Sequence, residues 1–100
     1  MPEARTTIVV HFHAPAGQGL ALRDALMPAI PHLSALPGCY GGSLYHDLDL
    51  PDTVVLIEHW ESVEAHRGYI AQIEHDGTMD RLRPLLAGEP ERRYLGAIKE

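Results

Sequence analysis

The sequence predicts an α+β domain on the ferredoxin-like split β-α-β plan, a four-stranded antiparallel sheet with helices on one face. Three observations carry that prediction. Period-two alternation marks two strong strands, stripes of apolar residues every three to four positions mark the helices, and the patterns run in the order β-α-β-β-α-β. A further short helix precedes the last strand.

In the first strand, Thr6–His13, Ile8, Val10 and Phe12 share one face while Val9, His11 and His13 share the other. Pro15, Gly17 and Gly19 break it, and Leu22, Leu26, Ile30 and Leu33 then form one helical stripe. Pro28 and Pro31 fall inside that stripe. Each lacks an N–H and crowds the preceding turn, so the helix is expected to kink or lose its last turn there. Leu36-Pro37-Gly38 ends it, and residues 42–48 alternate again, Ser43, Tyr45 and Asp47 opposite Leu44, His46 and Leu48.

The turn-like Asp49-Leu50-Pro51-Asp52 leads into Thr53–Trp60, the most β-prone run of the chain, so these two strands are expected to form a hairpin. Val54, Leu56, Glu58 and Trp60 share one face of this strand; Val55, Ile57 and His59 share the other, and both sides are expected to be covered. Ser62 is a good N-cap for the next helix, with Glu61 and Glu64 where its dipole favours negative charge. The buried stripe of that helix is Val63, His66, Ile70 and Ile73, with Tyr69 beside it and Glu64, Arg67, Gln72 and Glu74 pointing away. Asp76-Gly77 stops it. Met79, Leu82, Leu85 and Leu86 suggest a short helix bent by Pro84 and closed by Gly88, and residues 92–98 form the final strand. Helices on one side leave Val9, Val55 and Ile57 needing a cover on the other, which a second copy in a two-fold dimer supplies most simply.

Composition bounds the function. One hundred residues suffice for a single domain, residues 1–100, and 45% hydrophobic with 22% charged residues is an ordinary globular balance. Eight Lys plus Arg against fourteen Asp plus Glu leave a net charge of −6, which offers no basic surface to nucleic acid or anionic membranes. A lone Cys39 forms no internal disulfide, and the N-terminus has no basic segment followed by a secretory apolar core, so a cytoplasmic location is expected. No apolar run approaches the ~20 residues of a membrane-spanning helix.

Seven histidines invite a metal reading. His11 and His13 project from one strand face with Cβ atoms about 6 to 7 Å apart, and His59 is a possible third ligand. No H-E-x-x-H, Cys pair or carboxylate at a fixed offset completes such a set, so the alternative is histidines lining a half-polar sheet face or dimer seam, and no metal is expected. Trp60 is either a core anchor or the aromatic wall of a pocket where sheet and helix diverge; His66, on a buried stripe, is either a satisfied core residue or a pocket base. Tyr45 and Tyr69 carry hydroxyls that need partners if buried, and Cys39 reads as inert. Glu58 is the one acidic residue on a covered strand. Phosphate-binding loops and acyl-enzyme motifs are absent.

Residues 38–70 resemble the antibiotic biosynthesis monooxygenase family. The resemblance rests on an L-P-G-C step at Leu36 to Cys39, the Pro51-Asp52 turn, and an E-x-W-x-S-x-E-A-H pattern at Glu58, Trp60, Ser62, Glu64, Ala65 and His66. It implies a homodimeric α+β barrel with a pocket between sheet and helices in each protomer. It also implies oxidation of polycyclic phenols or quinols by O2 without metal or flavin, the substrate supplying the electrons. By position, Trp60 would be wall or donor and His66 base or proton source, with Tyr69 third. Val10, Phe12, Tyr45, Leu56, Glu58, Ile70 and His75 would bind substrate.

A related heme-degrading branch uses an Asn-Trp-His set. This sequence has no Asn, and Val-His-Phe-His stands around Val10 where that Asn would fall, so the resemblance leaves heme binding through a His as one alternative. A non-catalytic dimer binding a small metabolite is the other.

Overall fold

The computed structural model describes residues 5–99. The elements are β1 (Thr6–His13), α1 (Gly19–Leu26), α2 (Ala29–Ser34), β2 (Cys39–His46), β3 (Thr53–Trp60), α3 (Val63–His75), α4 (Thr78–Leu82), a 3₁₀ turn (Arg83–Leu85) and β4 (Glu91–Gly96). The four strands form one antiparallel sheet in the order β2-β3-β1-β4, with the helices on one face, as the alternation predicts.

The single expected first helix is two. Met27-Pro28 separates α1 from α2, because Pro28 has no N–H to continue the ladder and its ring crowds the turn before it. Pro31 is tolerated in the first turn of α2, where its N–H would be orphaned anyway. The apolar stripe survives the break: Leu22, Leu26 and Leu33 are buried and Ile30 packs on them.

The second strand starts earlier than residues 42–48, at Cys39, with a bulge between Cys39 and Gly41, and ends at His46, leaving Leu48 exposed. Asp47 explains that end. Its carboxylate accepts from Asp49 N (2.8 Å) and Leu50 N (3.1 Å), curling the chain into the hairpin turn. Asp52 then accepts from Gly17 N and Gly19 N, both at 2.9 Å, so the hairpin turn is tied to the start of α1. Ser62 caps α3 through its hydroxyl, which accepts from Ala65 N at 3.1 Å. Gly77, at φ +84°, takes the left-handed turn that separates α3 from α4. The last strand is shorter than residues 92–98 and begins at Glu91; Ile98 lies beyond it, fully exposed.

On the helix side, Ile8, Val10 and Phe12 meet Leu22, Leu26, Leu33, Val54, Leu56 and Trp60 in one core. Each such side chain contributes about 1.5 to 3 kcal/mol on leaving water. The register sets their rows. Arg92 lies beside Val10, which lies beside Leu56; in the next row Tyr94 lies beside Ile8, which lies beside Glu58. Among the described residues of one chain no helix lies over the opposite face. Val55 and Ile57 are half-buried and His59 is exposed, so only one side of β3 is covered.

Candidate active site

Between the inner sheet face and the helices lies a cavity of about 280 Å³. Val10 and Phe12 of β1, Leu56 and Glu58 of β3 and Tyr69 and Ile70 of α3 line it, together with Leu26, Leu33, Ile73 and Met79. These walls are apolar because the inward rows of the strands and the inward stripes of the helices converge there. Its polar groups are few: Glu58, Tyr69, Thr78, Arg81 and Arg92.

Glu58 is 3% exposed, an inward-facing carboxylate in the middle of the sheet. Trp60, two residues on along the same strand and on the same face, donates its Nε1–H to Glu58 Oε1 at 3.0 Å. Behind Glu58 sits His66, 0% exposed, with Nε2 3.7 Å from Glu58 Oε2 and Nδ1 3.0 Å from the Tyr94 hydroxyl. Neutral His66 satisfies this arrangement when Tyr94 donates to Nδ1 and the ring proton sits on Nε2, the nitrogen facing Glu58. Among the described residues Nε2 has no hydrogen-bond partner.

Aromatic rings fix these groups. Trp60 meets His66 edge to face, with centroids 5.3 Å apart, and lies tilted against Tyr69 at 5.4 Å. His66 meets Tyr94 edge to face at 5.4 Å. Burial, reinforced by the Glu58 charge, pushes the Tyr69 hydroxyl up to about 12, so it is a neutral O–H at physiological pH. Burial likewise raises the Cys39 thiol, against the opposing effect of its hydrogen bond with Gly41, and keeps it protonated and unreactive.

The residues expected to form a site therefore fall into three groups. Val10, Phe12, Leu56, Glu58, Tyr69 and Ile70 line the cavity. Trp60 and His66 are in contact with one another but stand in the wall, reaching the cavity only through Glu58 and Tyr69. Tyr45 and His75 lie away from it: Tyr45 pairs with Val55 on the uncovered face and is exposed, and His75 is exposed at the end of α3.

His11, His13 and His59 also share the uncovered side. His13 bonds Thr53 Oγ1 at 2.9 Å and Glu91 at 2.6 Å, and His59 bonds Thr7 Oγ1 at 3.2 Å. Among the described residues no three His, Cys, Asp or Glu side chains group to hold a metal ion. No histidine lines the cavity either, and His66 presents its free nitrogen to a carboxylate, so the residues present do not fit axial ligation of a heme there.

The family model described as antibiotic biosynthesis monooxygenase matches residues 6–78. The chain belongs to that family. Solved structures agree on the fold. A Pseudomonas aeruginosa protein aligns at TM-score 0.82 with 20% identity, covering 99% of each chain. A Mycobacterium tuberculosis protein aligns at 0.81 with 22% identity, covering 97% of this chain and 98% of that one. SnoaB, described as a cofactor-independent oxygenase from Streptomyces nogalater, aligns at 0.78 with 20% identity, covering 97% and 96%. No functionally curated protein matches the sequence significantly.

Sequence reasoning missed Arg81, Arg92 and Tyr94. The one signal for the latter pair was their spacing of two, which sends both side chains of β4 to the same face once β4 is paired with β1.

Proposed function

We propose that this family member is a cofactor-independent monooxygenase that binds a polycyclic phenol or quinol in the cavity and oxidises it with O2. The observation that carries the reading is Glu58, a buried carboxylate at an otherwise apolar wall, held by the Trp60 N–H and backed by His66. Glu58 takes the role of base that the family resemblance assigns to His66, because Glu58 touches the cavity and His66 does not.

For an anthrone-type substrate, Glu58 accepts the acidic proton and leaves a delocalised carbanion in a water-poor site. That anion passes one electron to O2, and the resulting radical pair joins as a C–O bond, giving a peroxide at the former C–H carbon. Loss of the remaining proton from that carbon breaks the O–O bond and yields a carbonyl and water. The balance is one O2 consumed and one water released for each CH2 converted to C=O. The neutral Tyr69 O–H is suited to stabilise the anionic oxygens and to protonate the departing hydroxide. Trp60 acts as a positioning residue by donating to Glu58 Oε1, and His66 stands behind Glu58 with Nε2 3.7 Å from Oε2, limiting where that oxygen can turn.

The protein works as a homodimer whose second copy covers the sheet face bearing Val9, Val55 and Ile57; light scattering that reports a monomer at micromolar concentration refutes this. A net charge of −6 and a single thiol suit a cytoplasmic protein.

The test is oxygen uptake with anthrone and hydroquinone substrates in the presence of chelator, one O2 per quinone formed. Glu58→Gln should lose about a hundredfold or more in turnover while remaining folded. His66→Gln should shift the pH profile and lower kcat more than it raises KM. Full activity in Glu58→Gln refutes the assignment of the base, and no uptake with any substrate favours a small-metabolite-binding dimer.

A further inference from the structure

The cavity holds two guanidinium groups in a protein whose net charge is −6. Among the described residues Arg81 and Arg92 form no ion pair, whereas Arg83 close by in sequence is clasped by Glu74, Asp80 and Glu89 at 2.6 to 3.1 Å. Arg81 has only a 3.3 Å bond to Thr78 Oγ1. Arg92 is more telling: it is half-buried, it lines the cavity, and its Nε is buried with no hydrogen-bond partner.

A buried guanidinium N–H without an acceptor carries its full desolvation cost, so natural sites supply one. Among the described residues no acid does so. Glu58, the acid on the cavity wall, lies one row along the sheet and two strands across from Arg92, a Cα separation of about 12 Å from strand geometry. Its oxygens face Trp60 and His66. An anionic group on a ligand in the cavity would supply that acceptor.

We propose that the cavity's ligand is an aromatic carboxylic acid, its carboxylate bound by Arg92 with Arg81 beside it. This names the substrate class of the monooxygenase reading and rests on that reading for its chemistry, though not for its binding. A guanidinium edge presents Nε–H and one Nη–H in parallel, the geometry that grips both oxygens of a carboxylate. Repulsion from Glu58 then orients the molecule. The acid group must sit at the Arg92 end, with the oxidisable ring carbon at the Glu58 end. A single benzene ring bearing both groups side by side would force the two carboxylates together, so the span selects fused rings with the acid remote from the reacting carbon.

The test compares 9-anthracenecarboxylate with 9-anthracenemethanol, which share a ring system and differ in the anion, by fluorescence titration of the whole protein without turnover. The acid should bind the wild type about tenfold or more tightly than the alcohol, a preference that weakens with salt. Arg92→Met should erase the preference by weakening the acid far more than the alcohol, and Arg92→Lys should keep part of it. Equal affinities in the wild type overturn the proposal, even if the substituted proteins fail to fold. So does a preference that survives in folded Arg92→Met, or no binding of either compound. The two readings separate cleanly. Acid-selective binding with no oxygen uptake on any phenol refutes the oxygenase and leaves the carboxylate site standing; uptake with equal kcat/KM for neutral and acidic anthrones, unchanged by Arg92→Met, does the reverse.

Discussion

Replacing Trp60 with Phe removes the donor that holds Glu58 Oε1, in a place where water cannot substitute: Glu58 is 3% exposed and Trp60 1%. A hydrogen bond to a charged group contributes about 1.5 to 3 kcal/mol, and losing it strands a buried carboxylate oxygen. The vacated pyrrole volume adds about 1 to 2 kcal/mol, since Ile8, Leu33 and His66 are fully packed and relax only in part. Trp60→Phe should therefore cost about 2.5 to 5 kcal/mol in urea unfolding at pH 7, read by far-ultraviolet circular dichroism at fixed protein concentration. The two contributions separate in a double-mutant cycle. In a Glu58→Met background there is no carboxylate to strand, so the same Trp60→Phe change should cost only the packing share. A coupling of about 2 kcal/mol is expected, well outside the usual scatter of about 0.5 kcal/mol for independent sites. Equal costs in both backgrounds would refute the claim that Trp60 anchors the carboxylate, and with it the account of how Glu58 is held as a base.

Two further consequences concern stability. The Tyr69 hydroxyl is pushed to about 12 from an ordinary 10.0, so the folded state binds that proton more tightly than the unfolded chain. Its contribution is full below pH 10 and is lost as pH rises to 12; the wild type should lose stability over that interval relative to Tyr69→Phe, and parallel urea midpoints for the two proteins from pH 9 to 12 would contradict this. At Gly19, an added Cβ would stand 2.6 Å from the Pro51 carbonyl oxygen and 2.8 Å from Asp52 Oδ1. Because the nearer atom is backbone, α1 and the hairpin turn must separate and weaken the Asp52 bonds to Gly17 N and Gly19 N, so Gly19→Ala should lower stability by about 2 kcal/mol and Tm by about 10 °C. An unchanged melting curve would show that this junction is slack.

Local signals made most of the fold legible. Thr6–His13 and Thr53–Trp60 alternate strictly, and Ser62 satisfies an orphan N–H whatever lies around it, so each element was readable from its own residues. β4 was harder to place because E-R-R-Y-L-G has no apolar alternation; the burial of its Arg92 and Tyr94 depends on pairing with β1, some eighty residues earlier in sequence. The site divides in the same way. Glu58 stood out as a charge in an inward row, and that holds without tertiary information. Whether His66 touches the cavity or stands behind it depends on Glu58 filling the space between, which no helical periodicity encodes.

The pairing of the last strand with the first also sets the order in which the molecule is completed. β1, β3 and β2 carry most of the apolar core and can associate as soon as Trp60 has been made, whereas Arg92 and Tyr94 are added only when β4 closes onto the free edge of β1. Until then that edge exposes unpaired backbone next to Val10, a template for pairing with any other extended chain. Once docked, the strand that supplies the cavity's unpartnered guanidinium is itself the sheet edge, and the outward charges of Glu91 and Arg93 make it a poor template for another strand, so β4 is constrained at once as a binding element and as a guarded edge.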